Sequence, residues 1–310
     1  MLANPPQSLS DLGGVARRMK NRGQSFDLLR RIGVLFDRNL MPAAYNAGKP
    51  TSAYFMPIPS LSACVITYNE ADRIVDCLVS LAFCNEIVVV DSGSTDATQD
   101  LAAQHGARVL QRPFDGYRLQ KDFTVGQAKH DWILFLDADE RITPQLRGSI
   151  EALRARNFGH HAGYRCARLT EYFGAFLHHG NAYPDRVLRL FDRRRGGFRG
   201  DREIHEHVEI DGTAGLLDGA LEHRAYRSLG DQLVRLDRYA QLMAEPQHSR
   251  GRRARLANIV LNPAWRFMRG YLLRAGFLDG WRGLLYAYIE ANYVRQKFIK
   301  LWLLQHGAIL

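Results

Sequence analysis

Residues 131–140 read DWILFLDADE, an apolar run that stops on three carboxylates. A nearly continuous apolar segment of this length, ended by polar residues, is the signature of a strand buried on both faces of a parallel sheet. Two earlier stretches repeat the pattern. LSACVITYN (61–69) runs apolar into Thr67, Tyr68, Asn69 and Glu70, and EIVVVD (86–91) runs into DSGSTD (91–96). A shorter run at 107–111 suits a further strand. Between them, residues 70–82, 97–105, 118–129 and 144–156 suit helices, and Gly106 suits a helix stop. Strands alternating with helices indicate a doubly wound, mostly parallel α/β sheet. Ligands of such sheets bind beyond the carboxyl ends of the strands, where all three polar clusters lie.

The clusters carry chemistry. Asp137 and Asp139, two residues apart past a buried strand, suit one divalent cation, and hard oxygen ligands select Mg2+ or Mn2+. Asp91 ends a strand where it suits a base or a sugar, and Ser94 or Thr95 suits a helix cap. Neither GxGxxG nor GxxxxGK[ST] occurs, so dinucleotide redox and P-loop readings lose their main support.

Beyond residue 160 the pattern is mixed. Residues 203–210 read as a strand, and Asp211-Gly212 is a hairpin signal. Glu206 shares strand parity with Ile204, Val208 and Ile210. A carboxylate on an apolar face is costly unless paired or used, and burial raises its pKa as a general base requires. Glu206 is thus the candidate base; Asp185, Asp201 and Glu203 are rivals, and a salt bridge to a nearby arginine is the alternative. HEHVE lacks the second histidine of a zinc-protease motif. His223, in ALEHRAY, is a core residue or a ligand. His205 and His207 take the opposite strand face and suit acceptor phosphate. Arg186, Arg189 and Arg193 to Arg195 suit an acidic acceptor, or form a solvated loop.

The three strand-end segments, LSACVITYNEADRI, EIVVVDSGSTDAT and DWILFLDADERIT, together resemble a family 2 glycosyltransferase of the GT-A fold. The resemblance implies that Thr67, Tyr68, Asn69, Glu70 and Asp91 surround the uracil and ribose of a UDP-sugar donor. It implies that Asp137 and Asp139 form the DxD motif, with Asp139 on the metal, and that a late histidine, His223, joins it. FDGYRLQKDFTVGQA, YPDRVLRLFDRRRGGF, REIHEHVEIDG, LEHRAYRSL and FLDGWRGLLYAY extend the likeness to about residue 295. They resemble the subgroup that adds glucose to heptose of the lipopolysaccharide inner core. Lys121 is then a donor contact, although Asp122 stands where that subgroup commonly has Asn. Arg186, Arg189 and His205 are expected on the acceptor side.

Charge divides the 310-residue chain. From Arg224 onward there are 15 Lys+Arg against 5 Asp+Glu, and residues 1–60 carry 8 against 3. The stretch between, with 19 basic and 24 acidic residues, is net acidic. Basic flanks favour an anionic partner such as a membrane surface. A nucleic acid is disfavoured, because strand-end carboxylates repel a phosphate backbone. Residues 281–304 form an amphipathic pattern suited to a membrane interface, or to packing on the catalytic domain. No run of 18 apolar residues and no secretory h-region occurs, and the four cysteines read as reduced core thiols. The expectation is a cytoplasmic enzyme peripheral to the inner membrane: an appendage at 1–60 with a short amphipathic helix at 25–40, a catalytic domain at 61–228 and a basic helical region at 229–310. An acceptor on a polyprenyl phosphate or an exopolysaccharide is the alternative within the class, and a non-catalytic glycolipid- or nucleic-acid-binding protein the alternative outside it.

Overall fold

The computed structural model describes residues 58–200 and 206–308. Almost all of the expected appendage, including its helix at 25–40, lies outside the described residues, as do His205, Asp201 and Glu203. The apolar runs form strands as their composition requires. β1 (Leu61–Thr67) is buried along its whole length and pairs in parallel with β2 (Glu86–Asp91) on one side and β4 (Trp132–Asp137) on the other. β3 (Arg108–Gln111) adds to β2, also in parallel. The intervening helices are α1 (Ile74–Ser80), α2 (Thr98–Gln104) and α3 (Tyr117–Gly126).

The chain then crosses to a mixed half, through β5 (Glu140–Ile142), α4 (Pro144–Arg154), β6 (Gly163–Thr170), β7 (Asp185–Asp192) and β10 (Ala214–His223). Thr143 caps α4, accepting a hydrogen bond from the Leu146 amide at 3.3 Å, with Pro144 at the first helical position. The eight-stranded sheet runs β3-β2-β1-β4-β7-β6-β10-β5, with β7 antiparallel to both neighbours. One face packs Ala63, Val65, Leu134 and Leu136 under Ile74, Leu78, Leu146 and Ile150 of the helices. The other packs Cys64, Ile66, Ile133 and Phe135 against Val125 of α3, Phe198 and Val208.

The hairpin expected at Asp211-Gly212 is not formed. β9 (His207–Ile210) pairs with β8 (Gly196–Arg199) in a separate ribbon, while β10 joins β6 and β5. Asp211 donates its amide to Arg195 O at 2.6 Å, so the turn passes the chain from ribbon to sheet. Distant partners won over the local turn signal. The second Asp-Gly pair lies at a bulge within β10, where Gly219 has φ +90° and a Cβ would run into the backbone of Leu146.

The C-terminal part is helical: α5 (Leu229–Ser249), α6 (Leu256–Met268), a π turn (Arg269–Leu273), a 3-10 turn (Gly276–Asp279) and α7 (Gly280–Leu304). α7 buries a narrow line of small residues, Gly283, Ala287 and Ala291, and Ile289 on another side. Its end packs Leu301, Phe298 and Trp302 on Ala244 and Ala254, while Trp281, Leu284 and Tyr288 face outward. The expected apolar side is therefore divided, its far end packed and its near end exposed. At the corner where α6 turns into α7, backbones touch directly. A Cβ on Gly276 or Gly283 would collide with the carbonyl of Gly270 or of Gly276. The loop at 171–183 seats on this corner. His178 and His179 donate backbone N–H groups to Asp279 at 3.2 and 2.9 Å, and Gly180 donates to Arg274 O at 2.9 Å. Among the described residues no helix is long and apolar enough to cross a membrane. All four cysteines are free thiols, and Cys64, Cys77 and Cys166 are buried.

Candidate active site

β4 ends at Asp137, and the next two residues make a tight turn into β5. The Ala138 amide donates to Ile66 O at 3.2 Å, and the Asp137 amide donates to Glu140 Oε2 at 3.1 Å. β5 is paired antiparallel with β10 so that Glu140 faces His223. This register brings His223 Nε2 to 3.5 Å from Asp139 Oδ2. The Arg224 amide also donates to Asp139 O at 2.9 Å, which ties the turn to the strand end.

Below the turn runs a line of side chains alternating in sign. Glu206 Oε1 is 3.1 Å from Lys121 Nζ, which is 3.4 Å from Asp137 Oδ1. Asp137 Oδ2 accepts from Arg189 Nη2 at 2.9 Å, and the same nitrogen donates to Glu140 Oε1 at 2.6 Å. Arg168 is 3.5 Å from Glu140 and 2.6 Å from Asp185. Burial alone would raise the Asp137 pKa, but the Lys121 and Arg189 charges outweigh it and hold the carboxyl well below the usual range. Asp139 is also held low: burial opposes ionisation, and the charge and hydrogen bond of His223 overcome it. Burial would lower the Arg189 pKa, but Glu140 and Asp137 raise it further, so this buried guanidinium stays charged.

The donor-side residues divide in two. Asp91 is fully buried; its Oδ1 accepts from the Gly93 and Ser94 amides at 2.9 and 2.8 Å and from Gln99 Nε2 at 2.8 Å. Asn69, at φ +52°, accepts from the Thr95 amide at 2.8 Å through Oδ1. These two clamp the loop after β2 to the end of β1. Tyr68 is exposed, and Thr67 Oγ1 is buried without a hydrogen-bond partner, so both retain capacity for a ligand. Glu70 accepts from Arg227 at 2.8 Å. Burial, with the nearby charge of Asp139, pushes the Glu70 carboxyl up to about 7 against the opposing pull of Arg227 and Arg73.

The acceptor-side expectations fare unevenly. Arg186 is exposed at the start of β7, at the Asp137 end of the sheet. Arg189 is not on the acceptor side: it is 6% exposed and spent on Asp137 and Glu140. Strand alternation explains this, because residues three apart face opposite sides. Arg193 to Arg195 also lie elsewhere, past the opposite end of β7. Arg193 donates to Ala128 O at 2.6 Å, Arg194 is 2.6 Å from Asp192, and Arg195 donates to Asp211 O at 2.9 Å. His207 is exposed beside Glu209 at 3.0 Å. Glu206 has its salt bridge, with Lys121 rather than an arginine, and Asp185 is taken by Arg168.

Sequence reasoning noted Glu140 only as the carboxylate behind the Asp pair, and missed Arg168 and a cavity of about 410 Å³ lined in part by Asp72, Arg73, Glu171, Tyr172, Arg224 and Arg227. The repeated arginines after His223 were the available signal for the cavity. Asp139 and His223 are the pair that the site offers a metal, since among the described residues no three His, Cys, Asp or Glu side chains are arranged to hold an ion. That fits Mg2+ or Mn2+, which take one or two protein ligands and complete their shells with substrate phosphates and water. Two such ligands at right angles lie ~3 Å apart, close to the Asp139–His223 spacing of 3.5 Å.

A mixed, mostly parallel sheet flanked by helices, followed by a helical C-terminal region, is the architecture of a GT-A glycosyltransferase. Residues 62–221 match the model of glycosyl transferase family 2, and the chain belongs to that family. It is 31% identical over 255 residues to the lipopolysaccharide core biosynthesis glycosyltransferase LpsC of Rhizobium meliloti (strain 1021), across 78% of this chain and 94% of LpsC. Among solved structures it is similar to the mannosyltransferase PcManGT from Pyrobaculum calidifontis in complex with GDP-Man and Mn2+. That likeness has 16% identity and a TM-score of 0.47, over 78% of this chain and 87% of the other. Glucosyl-3-phosphoglycerate synthase from Mycobacterium tuberculosis, in complex with Mn2+, UDP and glucosyl-3-phosphoglycerate, gives 21% identity and a TM-score of 0.31. There the match covers 36% of this chain and 44% of the synthase, less than half of its length.

Proposed function

We propose that this glycosyltransferase is a metal-dependent, inverting hexosyltransferase. It moves glucose from UDP-glucose to a heptose of the lipopolysaccharide inner core, at the cytoplasmic face of the inner membrane. The observation that carries the reading is the Asp139–His223 pair at 3.5 Å, set beside the Glu206–Lys121–Asp137 line. The likeness to LpsC supports the lipopolysaccharide core as the setting, and the later sequence segments support glucose and heptose.

Asp139 and His223 hold the divalent cation, which when bound neutralises charge on the donor diphosphate. Thr67 and Tyr68 contact the nucleoside, on a platform that Asn69 and Asp91 keep rigid. Lys121 lies between Glu206 and Asp137 and turns to the diphosphate when the donor enters, which leaves Glu206 free. Glu206 then takes the proton of the acceptor hydroxyl as its oxygen bonds to the anomeric carbon. The bond from that carbon to the diphosphate breaks, and UDP leaves with the electron pair. Displacement from the face opposite an α-linked nucleotide gives a β-linked product. Arg186 meets acidic groups of the acceptor.

Thermal unfolding with nucleotides and Mn2+ tests the donor site. UDP-glucose at 100 times its dissociation constant stabilises the native state by about 2.7 kcal/mol. The stabilisation is expected to need the metal, to exceed that from UDP-galactose and to vanish in Asp139→Ala. Equal transferase activity in Asp139→Ala and the parent would overturn the metal site.

A further inference from the structure

Most soluble helices hide their apolar face, but α6 turns much of its own outward. Leu256, Val260, Leu261, Trp265 and Met268 spread over about half of the helix circumference, and all are exposed. The surface continues through Leu272 and Leu273 of the π turn and Phe277 and Leu278 of the 3-10 turn, then along Trp281, Leu284 and Tyr288 of α7. Leu273 is 66% exposed and Trp265 58%. Such a run of large apolar side chains exceeds what scattered surface residues explain.

The charges around it are mostly of one sign. Residues 246–278 contain seven arginines and no Asp or Glu. Arg250, Arg252, Arg253, Arg255, Arg269 and Arg274 are exposed. Of the nearest acids, Asp279 accepts backbone N–H groups of the 171–183 loop and Glu290 is paired with Arg266, while Glu245, in the last turns of α5, is exposed. Apolar side chains and Trp on a helical turn, rimmed mostly by arginine, match the acyl boundary of a bilayer with anionic headgroups.

We propose that the α6–α7 corner is a monotopic docking surface for an anionic lipid bilayer, inserted to the depth of its apolar side chains without spanning. The site differs from the one that the sequence pattern of residues 281–304 suggested: only the first two turns of α7 take part, and α6 with the two tight turns supplies the rest. The corner also adjoins the catalytic end of the sheet. Glu171 donates its amide to His223 O at 2.8 Å, and Arg282 donates to Phe173 O at 2.9 Å, so one loop touches both the proposed metal ligand and the lipid surface. The inference deepens the transferase reading in one respect, the delivery of a lipid-linked acceptor, and otherwise stands apart from it.

Co-sedimentation of the full chain with vesicles tests it. The probes are phosphatidylcholine alone and phosphatidylcholine with phosphatidylglycerol, each at low and high salt. The chain is expected to bind the anionic vesicles and to be partly released by salt. Leu273→Glu with Leu278→Glu is expected to weaken binding about tenfold or more. Arg252→Glu and Arg253→Glu are each expected to weaken it by at least roughly fivefold on anionic vesicles. The metal-dependent response to UDP, measured on the same preparations, is expected to persist in all of these variants, so a failed donor site shows itself separately. Absence of vesicle binding by the parent chain overturns the proposal, as does binding by the leucine variant equal to the parent's. A dimer of the parent that the leucine variant splits, with vesicles unbound, overturns it in favour of an interface between copies.

Discussion

The sheet and the helical corner break the ordinary rule of burial in opposite directions. Between β4, β7 and β6 the interior holds charge: Glu140 has a fully buried side chain and Arg189 is nearly so. At the corner the exterior holds Leu, Trp and Phe. Each inversion costs free energy in the isolated protein unless something answers it. Inside the sheet the answer is local, because each buried charge meets its opposite within 3.5 Å. At the corner no described residue covers the apolar surface, and the answer must come from outside. A self-satisfied inversion holds a site in shape; an unsatisfied one faces a partner.

The largest effect is expected at the mouth of the charged line. Asp139→Ala removes one of two proposed metal ligands and should lower turnover roughly a thousandfold, read by UDP release. Glu206→Gln keeps shape but cannot accept a proton; kcat should fall at least about a hundredfold, with UDP binding retained. Loss of UDP binding instead would assign Glu206 to holding Lys121 alone. Arg189→Met leaves Asp137 and Glu140 without their shared partner and should cost about 3–5 kcal/mol in urea unfolding. Adding Glu140→Gln should restore part of it. Trp265→Ala, on the outward face, should change stability by less than about 0.5 kcal/mol. A loss several times larger would mean that this face is already covered in solution, and the contrast would collapse. The smallest effect belongs to the rim. Burial would raise the Asp192 pKa, but hydrogen bonds from Arg194 outweigh it and hold the carboxyl low. The contribution is therefore present above the ordinary carboxylate pKa and lost as pH falls through the lowered one. Asp192→Asn should make unfolding slightly less sensitive to acid.

What could be read from residues alone follows the same division. β1, β2 and β4 and their polar ends were legible because burial on both faces writes itself as continuous apolar runs. Asp137 and Asp139 were legible from their place after such a run. Arg189 was misplaced because the charge rather than the strand parity of RVLRLF was followed, and Glu140 was given no role because its partners come from strands 28 and 49 residues away. The Asp211-Gly212 turn misled for a related reason: a two-residue signal names a bend but not the strands that flank it. On α7 the large apolar side chains drew attention, whereas Gly283, Ala287 and Ala291 mark the face that packs.

The glycine corner has a consequence for the size of what the enzyme can use. Where backbone rests on backbone there is no side chain to flex, so the π turn, the 3-10 turn, the start of α7 and Gly180 of the 171–183 loop hold one arrangement. With the corner seated in lipid, the Asp139–His223 pair stands at a set altitude over the membrane. If the proposed docking holds, the fold would act as a ruler, meeting a lipid-linked acceptor at one height, or rung, above the membrane. Bulk added at Gly276 should shift which rung is modified before it changes how fast.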